Sequence, residues 1–138
     1  MGLGTVFAII ALLGVLAYIR LAPSDASWHV DPTTVTASAK PNHWLVKPTP
    51  LAMTADEAAL KLAAIATATP RTDLLAGQGM QTTWITRSAI MGFPDYTSVT
   101  ITPTARGSTI AIYARARFGQ SDFGVNRARV ESWLQQLH

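Results

Sequence analysis

Residues 97–118, TSVTITPTARGSTIAIYARARF, contain two stretches in which apolar and polar side chains alternate. In the second stretch Ile110 and Ile112 fall on one face, while Arg115 and Arg117 fall on the other. A repeat of two residues is typical of a β-strand with one buried face. A proline and a glycine between the stretches favour a turn. The segment therefore predicts an antiparallel hairpin whose isoleucines face the core.

The residues before this hairpin predict a helix followed by further strands. Thr54 and Glu57 have the spacing of a capping box, and an apolar face continues at helical spacing until Pro70. Residues 80–88, MQTTWITRS, alternate and are rich in β-branched and aromatic residues, as in a strand. A shorter strand is predicted at residues 73–76, before a Gly-Gln-Gly turn.

The C-terminal residues predict a second helix. Four apolar residues recur at i, i+3, i+4 and i+7 and form one helical face: Val130, Trp133, Leu134 and Leu137. Phe123 is expected to extend this face, and Ser121 and Asp122 to cap the start of the helix. The order of helix, hairpin-linked strands and final helix predicts an α+β domain, in which helices pack on one face of a small antiparallel sheet.

Residues 21–50 contain five prolines, at positions 23, 32, 41, 48 and 50. Repeated proline is incompatible with a long helix and disfavours a central strand, so the segment is interpreted as an extended lead-in. Trp28 and Trp44 lie within it. Tryptophan in such a segment indicates packing on a surface, either of the domain itself or of the membrane interface.

The first residues predict a transmembrane helix. Gly2–Ile19 has no charged residue, and its eighteen residues span about 27 Å as a helix, against roughly 30 Å for the hydrocarbon core of a bilayer. Tyr18 and Arg20 suit the membrane interface, and Trp28 is assigned to it as well. A cleaved signal peptide is the alternative, but Ala22-Pro23-Ser24 is a poor cleavage site. The predicted divisions are an uncleaved anchor at residues 1–20, a Pro-rich lead-in at 21–50 and the α+β domain at 51–138.

The composition narrows the classes of function. Eleven Lys and Arg against eight Asp and Glu give a formal charge of +3, far from the composition of a nucleic-acid-binding protein. The absence of cysteine excludes disulfides, thiol catalysis and cysteine-ligated metals. His29, His43 and His138 are not spaced as a metal pair, no catalytic motif is present, and Asp95 is interpreted as a turn former. We therefore predict no metal ion, no cofactor and no enzyme activity.

Two stretches resemble a known family. Residues 115–129, RARFGQSDFGVNRAR, are similar to the terminal signature of the bacterial DUF1499 family, and residues 92–96, GFPDY, resemble its second landmark. The resemblance covers roughly residues 45–138. It implies the same fold and a membrane or envelope setting, but no reaction, because the function of the family is unknown. Many members have an Asp pair where this chain has Asp95 and Tyr96, and many have cysteines that are absent here.

The motif residues have two interpretations. In the first, they form a structural clasp, in which Asp122 caps the final helix and pairs with an arginine, Asn126 ties helix to strand, and Arg129 is nearly neutral for stability. In the second, up to four arginines and the helix N-terminus bind a phosphate or carboxylate. The candidate residues are Arg115, Arg117, Gly119, Ser121, Asp122, Gly124, Asn126, Arg127 and Arg129 in the motif, and Gly92, Phe93, Pro94 and Asp95 in the second landmark.

We expect a non-catalytic accessory protein that docks its domain on a larger membrane protein or complex. The alternative is a domain that binds a small anionic or lipidic ligand, such as a lipid headgroup. An exposed apolar patch around Trp28 and Trp44 would favour docking, whereas an internal pocket above Ile110 and Ile112 would favour ligand binding. Nucleic acid is not an expected partner.

The expected location is the inner membrane, with a single span and a periplasmic domain. The periplasmic side is implied by the resemblance, because related domains occur in plastids and Gram-negative envelopes. Arg20 and Lys40 argue for the opposite orientation, since positive charge near a span favours the cytoplasmic side.

Overall fold

The hairpin predicted at residues 97–118 is present and lies at the centre of an antiparallel sheet. The computed structural model describes residues 1–36 and 38–138. Its elements are α1 (Leu3–Leu21), a short 3-10 helix (Ala26–Trp28), β1 (His43–Leu51), α2 (Ala55–Ala68), β2 (Thr72–Gln78), β3 (Gln81–Arg87), β4 (Pro94–Thr104), β5 (Gly107–Ala116) and α3 (Val125–Leu137). The five strands are arranged in the order β1-β5-β4-β3-β2.

One face of the sheet forms the core together with α2 and α3. The side chains of Val99, Ile110 and Ile112 are completely buried, as the alternation predicted. Leu62 of α2 and Trp133 of α3 belong to the same buried cluster. Burial of these apolar side chains is the main stabilising contribution to the domain, and the predicted α+β class is confirmed.

The opposite face of the sheet is covered by the residues that follow α1. The ring of Trp28 stacks on the ring of Tyr96, with centroids 4.2 Å apart. His29 Nδ1 lies 2.7 Å from Thr83 Oγ1. The Oγ of Ser24 lies 2.7 Å from the Tyr96 hydroxyl. Trp28 therefore packs on the domain itself, which corrects its assignment to the membrane interface.

The first strand lies inside the segment predicted as a lead-in. It pairs with β5 and forms one edge of the sheet. Pro48 and Pro50 are tolerated there because only alternate N–H groups of an edge strand face a neighbour, and the register shifts between Val46 and Thr49. The folded domain thus begins before residue 51, and the predicted boundary is corrected accordingly.

The first helix is long and apolar enough to cross a membrane, by length and composition. Its last turn contacts the domain: Ile19 is buried, and the ring of Tyr18 lies edge-on to Phe118 with centroids 6.1 Å apart. Arg20 Nη2 donates a hydrogen bond to the carbonyl oxygen of Ile90. The predicted division after residue 20 therefore cuts through packed residues. We call the end of the sheet that carries these contacts, with its loops at residues 88–93 and 117–124, the anchor end.

The start of the final helix differs from the prediction. Phe123 has a φ of 55° and is 95% exposed, so it does not extend the apolar face. The helix begins at Val125, after Gly124 in the left-handed conformation. Val130 and Trp133, further along, are buried as predicted.

Replacement of residues 2–17 by a soluble tag should leave the domain folded, because the packed residues of α1 begin at Tyr18. Extension of the deletion through residue 22 also removes the buried side chains of Ile19 and Ala22. This longer deletion should lower the free energy of unfolding by about 1.5–3 kcal/mol, the range for one large buried side chain. Urea unfolding of the two proteins, followed by tryptophan fluorescence, measures the difference. Equal stabilities would show that the last turn of α1 is not part of the core.

Candidate functional site

Two segments that are remote in the sequence meet at the anchor end through an ion pair. Asp95 lies in β4 and Arg129 lies in α3, and Arg129 Nη2 is 3.2 Å from Asp95 Oδ2. The arginine side chain is 10% exposed and the aspartate side chain 13%. A pair shielded in this way is screened less than a surface pair, and removal of one partner leaves the other charge uncompensated.

Asn126 extends this ion pair into a chain of four side chains. Its Nδ2 donates to Asp122 Oδ2 at 2.8 Å, and its Oδ1 accepts from Arg129 Nη1 at 2.8 Å. Asn126 is fully buried, so both bonds replace hydration that its amide loses on folding. The expected direct pair between Asp122 and an arginine is therefore replaced by an amide bridge. Arg129, whose substitution was expected to change stability very little, occupies the centre of this chain of side chains.

Asp122 also satisfies free N–H groups at the start of α3. Its Oδ2 accepts from the backbone N–H of Asn126 at 3.1 Å, and its Oδ1 accepts from that of Gly124 at 3.0 Å. Ser121 Oγ accepts from the N–H of Phe123 at 3.2 Å. The Asn126 N–H lies in the first turn of α3 and has no partner within the helix, so Asp122 replaces its missing bond, whereas the other two bonds hold the loop that leads into the helix.

The two carboxylates of this chain differ in proton affinity. Burial raises the pKa of Asp95, and the positive charge of Arg129 opposes that shift without cancelling it. Burial acts in the same direction on Asp122, but the hydrogen bonds from Asn126 and from two backbone N–H groups outweigh it and lower its pKa. Asp122 is thus held as an anion, whereas Asp95 has the higher affinity for a proton.

The four motif arginines have separate partners, so the structure does not form the four-arginine anion site considered above. Arg117 Nη1 donates to the carbonyl of Pro23 and to the Tyr96 hydroxyl. Arg127 lies on the exposed side of α3, where it pairs with Glu131 at 2.7 Å. Only Arg129 reaches Asp95.

Arg115 is buried on the face covered by the lead-in, and among the residues that the structure describes it forms no ion pair with a carboxylate. Its Nη1 donates to Ser98 Oγ at 2.9 Å and to the Tyr113 carbonyl at 3.1 Å, and its Nη2 donates to the Trp28 carbonyl. The guanidinium carbon lies 4.9 Å from the centre of the Tyr113 ring. Burial lowers the pKa of Arg115 to about 10, so the group stays charged at neutral pH and is stabilised by carbonyls and aromatic faces.

The remaining landmark residues shape the loops of the anchor end. Gly92 has a φ of 72°, and a Cβ there would lie 2.9 Å from Arg20 Cγ, so the close approach of α1 requires glycine. The carbonyl of Gly119 accepts from Asn42 Nδ2 at 3.1 Å. Pro94 is buried at the start of β4.

A cleft of about 370 Å³ lies between the two loops of the anchor end. Asp95 and Arg129 are among its polar lining residues, and the guanidinium-bearing side chains of Arg71 and Arg87 line it as well. The apolar lining residues are Phe93, Phe118, Phe123 and Val125. Arg71 and Arg87 were not predicted because they lie outside the motif, and Phe118 lies within the motif but was not among its candidate residues. The three residues are brought to the cleft by the pairing of β2 with β3, β3 with β4 and β4 with β5.

The histidines and acidic residues do not form a metal site in the part of the chain that the structure describes. His29 binds Thr83, and His43 Nδ1 lies 2.8 Å from the Lys40 carbonyl.

Residues 26–137 match the profile of a family described as Protein of unknown function (DUF1499). The match begins in the lead-in, before the expected residue 45, in keeping with the packing of Trp28 on the sheet. The crystal structure of protein MLL2253 from Mesorhizobium loti is similar, with a TM-score of 0.52 and 12% identity, covering 69% of this chain and 93% of that chain. At this identity the likeness shows the fold alone. No curated protein matches the sequence.

Arg129→Ala should lower the free energy of unfolding by roughly 1–3 kcal/mol, because it leaves Asp95 and the Asn126 carbonyl without their charged partner. Asp122→Ala should cost a similar amount, because it removes the acceptor of the Asn126 amide and of the backbone N–H groups of Gly124 and Asn126. Urea unfolding of the full chain in detergent micelles measures both changes.

Arg127→Ala is the matched control, since it removes the same side chain from an exposed position of the same helix. Its pair with Glu131 and its contact with the Trp44 ring are both at the surface, so the change should cost at most about 1 kcal/mol. If Arg127→Ala destabilises the chain as much as Arg129→Ala, the buried clasp has no special role.

Proposed function

The chain belongs to the DUF1499 family, as its two motifs predicted, and we propose that it is a membrane-anchored domain that binds an amphipathic ligand with an anionic headgroup. The observation that carries this proposal is the position of the cleft, whose apolar lining lies at the anchor end, beside the last turn of α1. A lipid-like molecule would reach such a site from the bilayer with little exposure to water.

The first helix serves in this proposal as an uncleaved, single-pass anchor. Its length and apolar composition support a span. Cleavage of a signal peptide after Ala22 would also remove the contacts of Tyr18 with Phe118 and of Arg20 with Ile90. We place the protein in the inner membrane with its domain on the periplasmic side.

The charge and shape of the cleft define the class of ligand that it would bind. Arg71 and Arg87 line the cleft and form no ion pair in the described part of the chain. Arg71 Nε donates to the Arg87 carbonyl, and Arg87 Nη1 donates to the carbonyls of Ile19 and Gly92, but these acceptors have no net charge. A phosphate or carboxylate would supply the missing negative charge through the remaining N–H groups of the two guanidiniums.

Phe93, Phe123 and Val125 offer an apolar surface to the rest of the ligand. The volume is near the lower end of the range for ligand pockets, roughly 300–1,000 Å³. The cleft therefore suits a headgroup and the first part of an acyl chain better than an entire lipid.

Docking on a larger assembly, the function expected from the sequence, has less support than ligand binding. It relied on an exposed apolar patch around Trp28 and Trp44. Trp28 is instead stacked on Tyr96, and Trp44 lies beneath the guanidinium of Arg127, 4.4 Å from the ring centre. The ligand site is also not where it was expected, because Ile110 is completely buried beneath the helices.

The full-length protein in maltoside micelles should retain added phosphatidylglycerol in preference to phosphatidylcholine, because only the former has a net negative charge. Arg71→Gln removes one charge-assisted hydrogen bond, worth roughly 1.5–3 kcal/mol, and should weaken binding about tenfold or more. Native mass spectrometry measures the fraction of protein that retains each lipid. An equal affinity for the two lipids would contradict an anionic headgroup site.

A blocking variant locates the binding site. Ser121→Trp adds a large ring to the cleft lining and should abolish lipid retention. Ala105→Trp, at the turn between β4 and β5 on the opposite end of the sheet, is the matched control and should bind normally. Normal retention by Ser121→Trp would place the ligand outside the cleft.

Labelling of a single introduced cysteine can show on which side of the membrane the domain lies, because the chain has no cysteine of its own. Gln136→Cys, at an exposed position of α3, should react with a membrane-impermeant maleimide in intact spheroplasts. Reaction only after lysis would place the domain in the cytoplasm, as the positions of Arg20 and Lys40 favour.

A further inference from the structure

We infer that the anchor end of the domain is itself immersed in the lipid interface, through a rim of exposed apolar side chains on its two loops and at the first residue of α3. The rim consists of Ile90 (81% exposed), Met91 (37%), Phe93 (36%), Phe123 (95%) and Val125 (50%). Single exposed apolar residues are ordinary on protein surfaces, but here five are gathered at one end of the sheet and three of them line the same cleft, which indicates an interaction surface.

The last turn of α1 places this rim at the membrane surface. Arg20 donates to the carbonyl of Ile90, and its side chain packs against Gly92 in the same loop. Tyr18 packs on Phe118, which lies in the second loop. Because both loops touch the residues at which the apolar helix ends, neither loop lies far from the polar boundary of the bilayer. The rim is thus continuous with the surface through which the proposed anchor enters the membrane.

The conformation of Phe123 supports the same inference. A non-glycine residue at a φ of 55° is in the sparsely populated left-handed region. Ser121 and Asp122 hold the flanking backbone N–H groups of Phe123 and Gly124. The result is an almost completely exposed phenyl ring at the tip of a loop, an arrangement that water disfavours and a lipid interface favours.

The charges around the rim match anionic headgroups. Arg20, Arg71 and Arg87 lie at this end of the sheet and form no ion pair within residues 1–36 and 38–138. Basic side chains beside an apolar insertion are typical of surfaces that bind anionic lipid. The inference rests on the anchor of the proposed function, and it adds that the cleft between the loops opens toward the lipid.

The test uses full-length single-cysteine variants labelled with the environment-sensitive dye NBD and reconstituted into vesicles of phosphatidylcholine and phosphatidylglycerol. Ile90→Cys and Phe123→Cys should give blue-shifted emission that lipids with a doxyl group near the headgroup quench. Leu60→Cys is the matched control, since Leu60 is an exposed apolar residue (75%) on α2, away from the rim. It should give the emission of a dye in water. Leu12→Cys, within α1, should be quenched by lipids with a doxyl group deep in the acyl chain.

The possible results distinguish a failure of the rim from a failure of the transmembrane anchor. Water-like emission at Ile90→Cys and Phe123→Cys with deep quenching at Leu12→Cys would overturn the rim and leave the anchor intact. Quenching at Leu60→Cys as strong as that at the two rim positions would also overturn the rim, because the contact with lipid would not be specific to it. Water-like emission at Leu12→Cys as well would contradict the anchor, and with it the proposed function.

Discussion

The buried ion pair between Asp95 and Arg129 is the contact on which the anchor end depends. It joins the first residues of β4 to the first turns of α3. Asn126 is hydrogen-bonded to both Arg129 and Asp122 and so links the pair to the preceding loop. The same four side chains thereby fix the start of the helix, the path of the loop and one wall of the cleft. A single uncompensated charge here would disturb all three, because burial makes a lone charge costly.

A second buried cation ties the anchor to the other face of the sheet. Arg115 donates to the carbonyl of Trp28, whose ring stacks on Tyr96. The segment between α1 and Trp28 is short and is held at both ends, by these contacts and by those of Arg20 with the loop at residues 88–93. The helix and the domain are therefore coupled, so the anchor end has a defined orientation relative to the last turn of α1.

The hairpin and both core helices could be predicted because the spacing of their apolar residues indicates which face is buried. The first strand could not, since Pro48 and Pro50 argue against a strand unless its place at the sheet edge is known. Phe123 was misassigned because the periodicity does not reveal that Gly124 starts the helix in a left-handed conformation. The pairing of Asp95 with Arg129 depends on how α3 is placed over the sheet, and residues 34 positions apart carry no local signal of it.

A double-mutant cycle between Asp95 and Arg129 tests this account most directly. Asp95→Asn keeps the size of the side chain and removes its charge, whereas Arg129→Gln removes the charge and leaves a shorter polar side chain; the double variant combines both changes. If the pair holds the anchor end together, the free energies of unfolding in micelles should be coupled by about 1–3 kcal/mol, within the range for residues of one buried network. Costs that add to within about 0.5 kcal/mol would show that the two charges do not act together and would contradict the account.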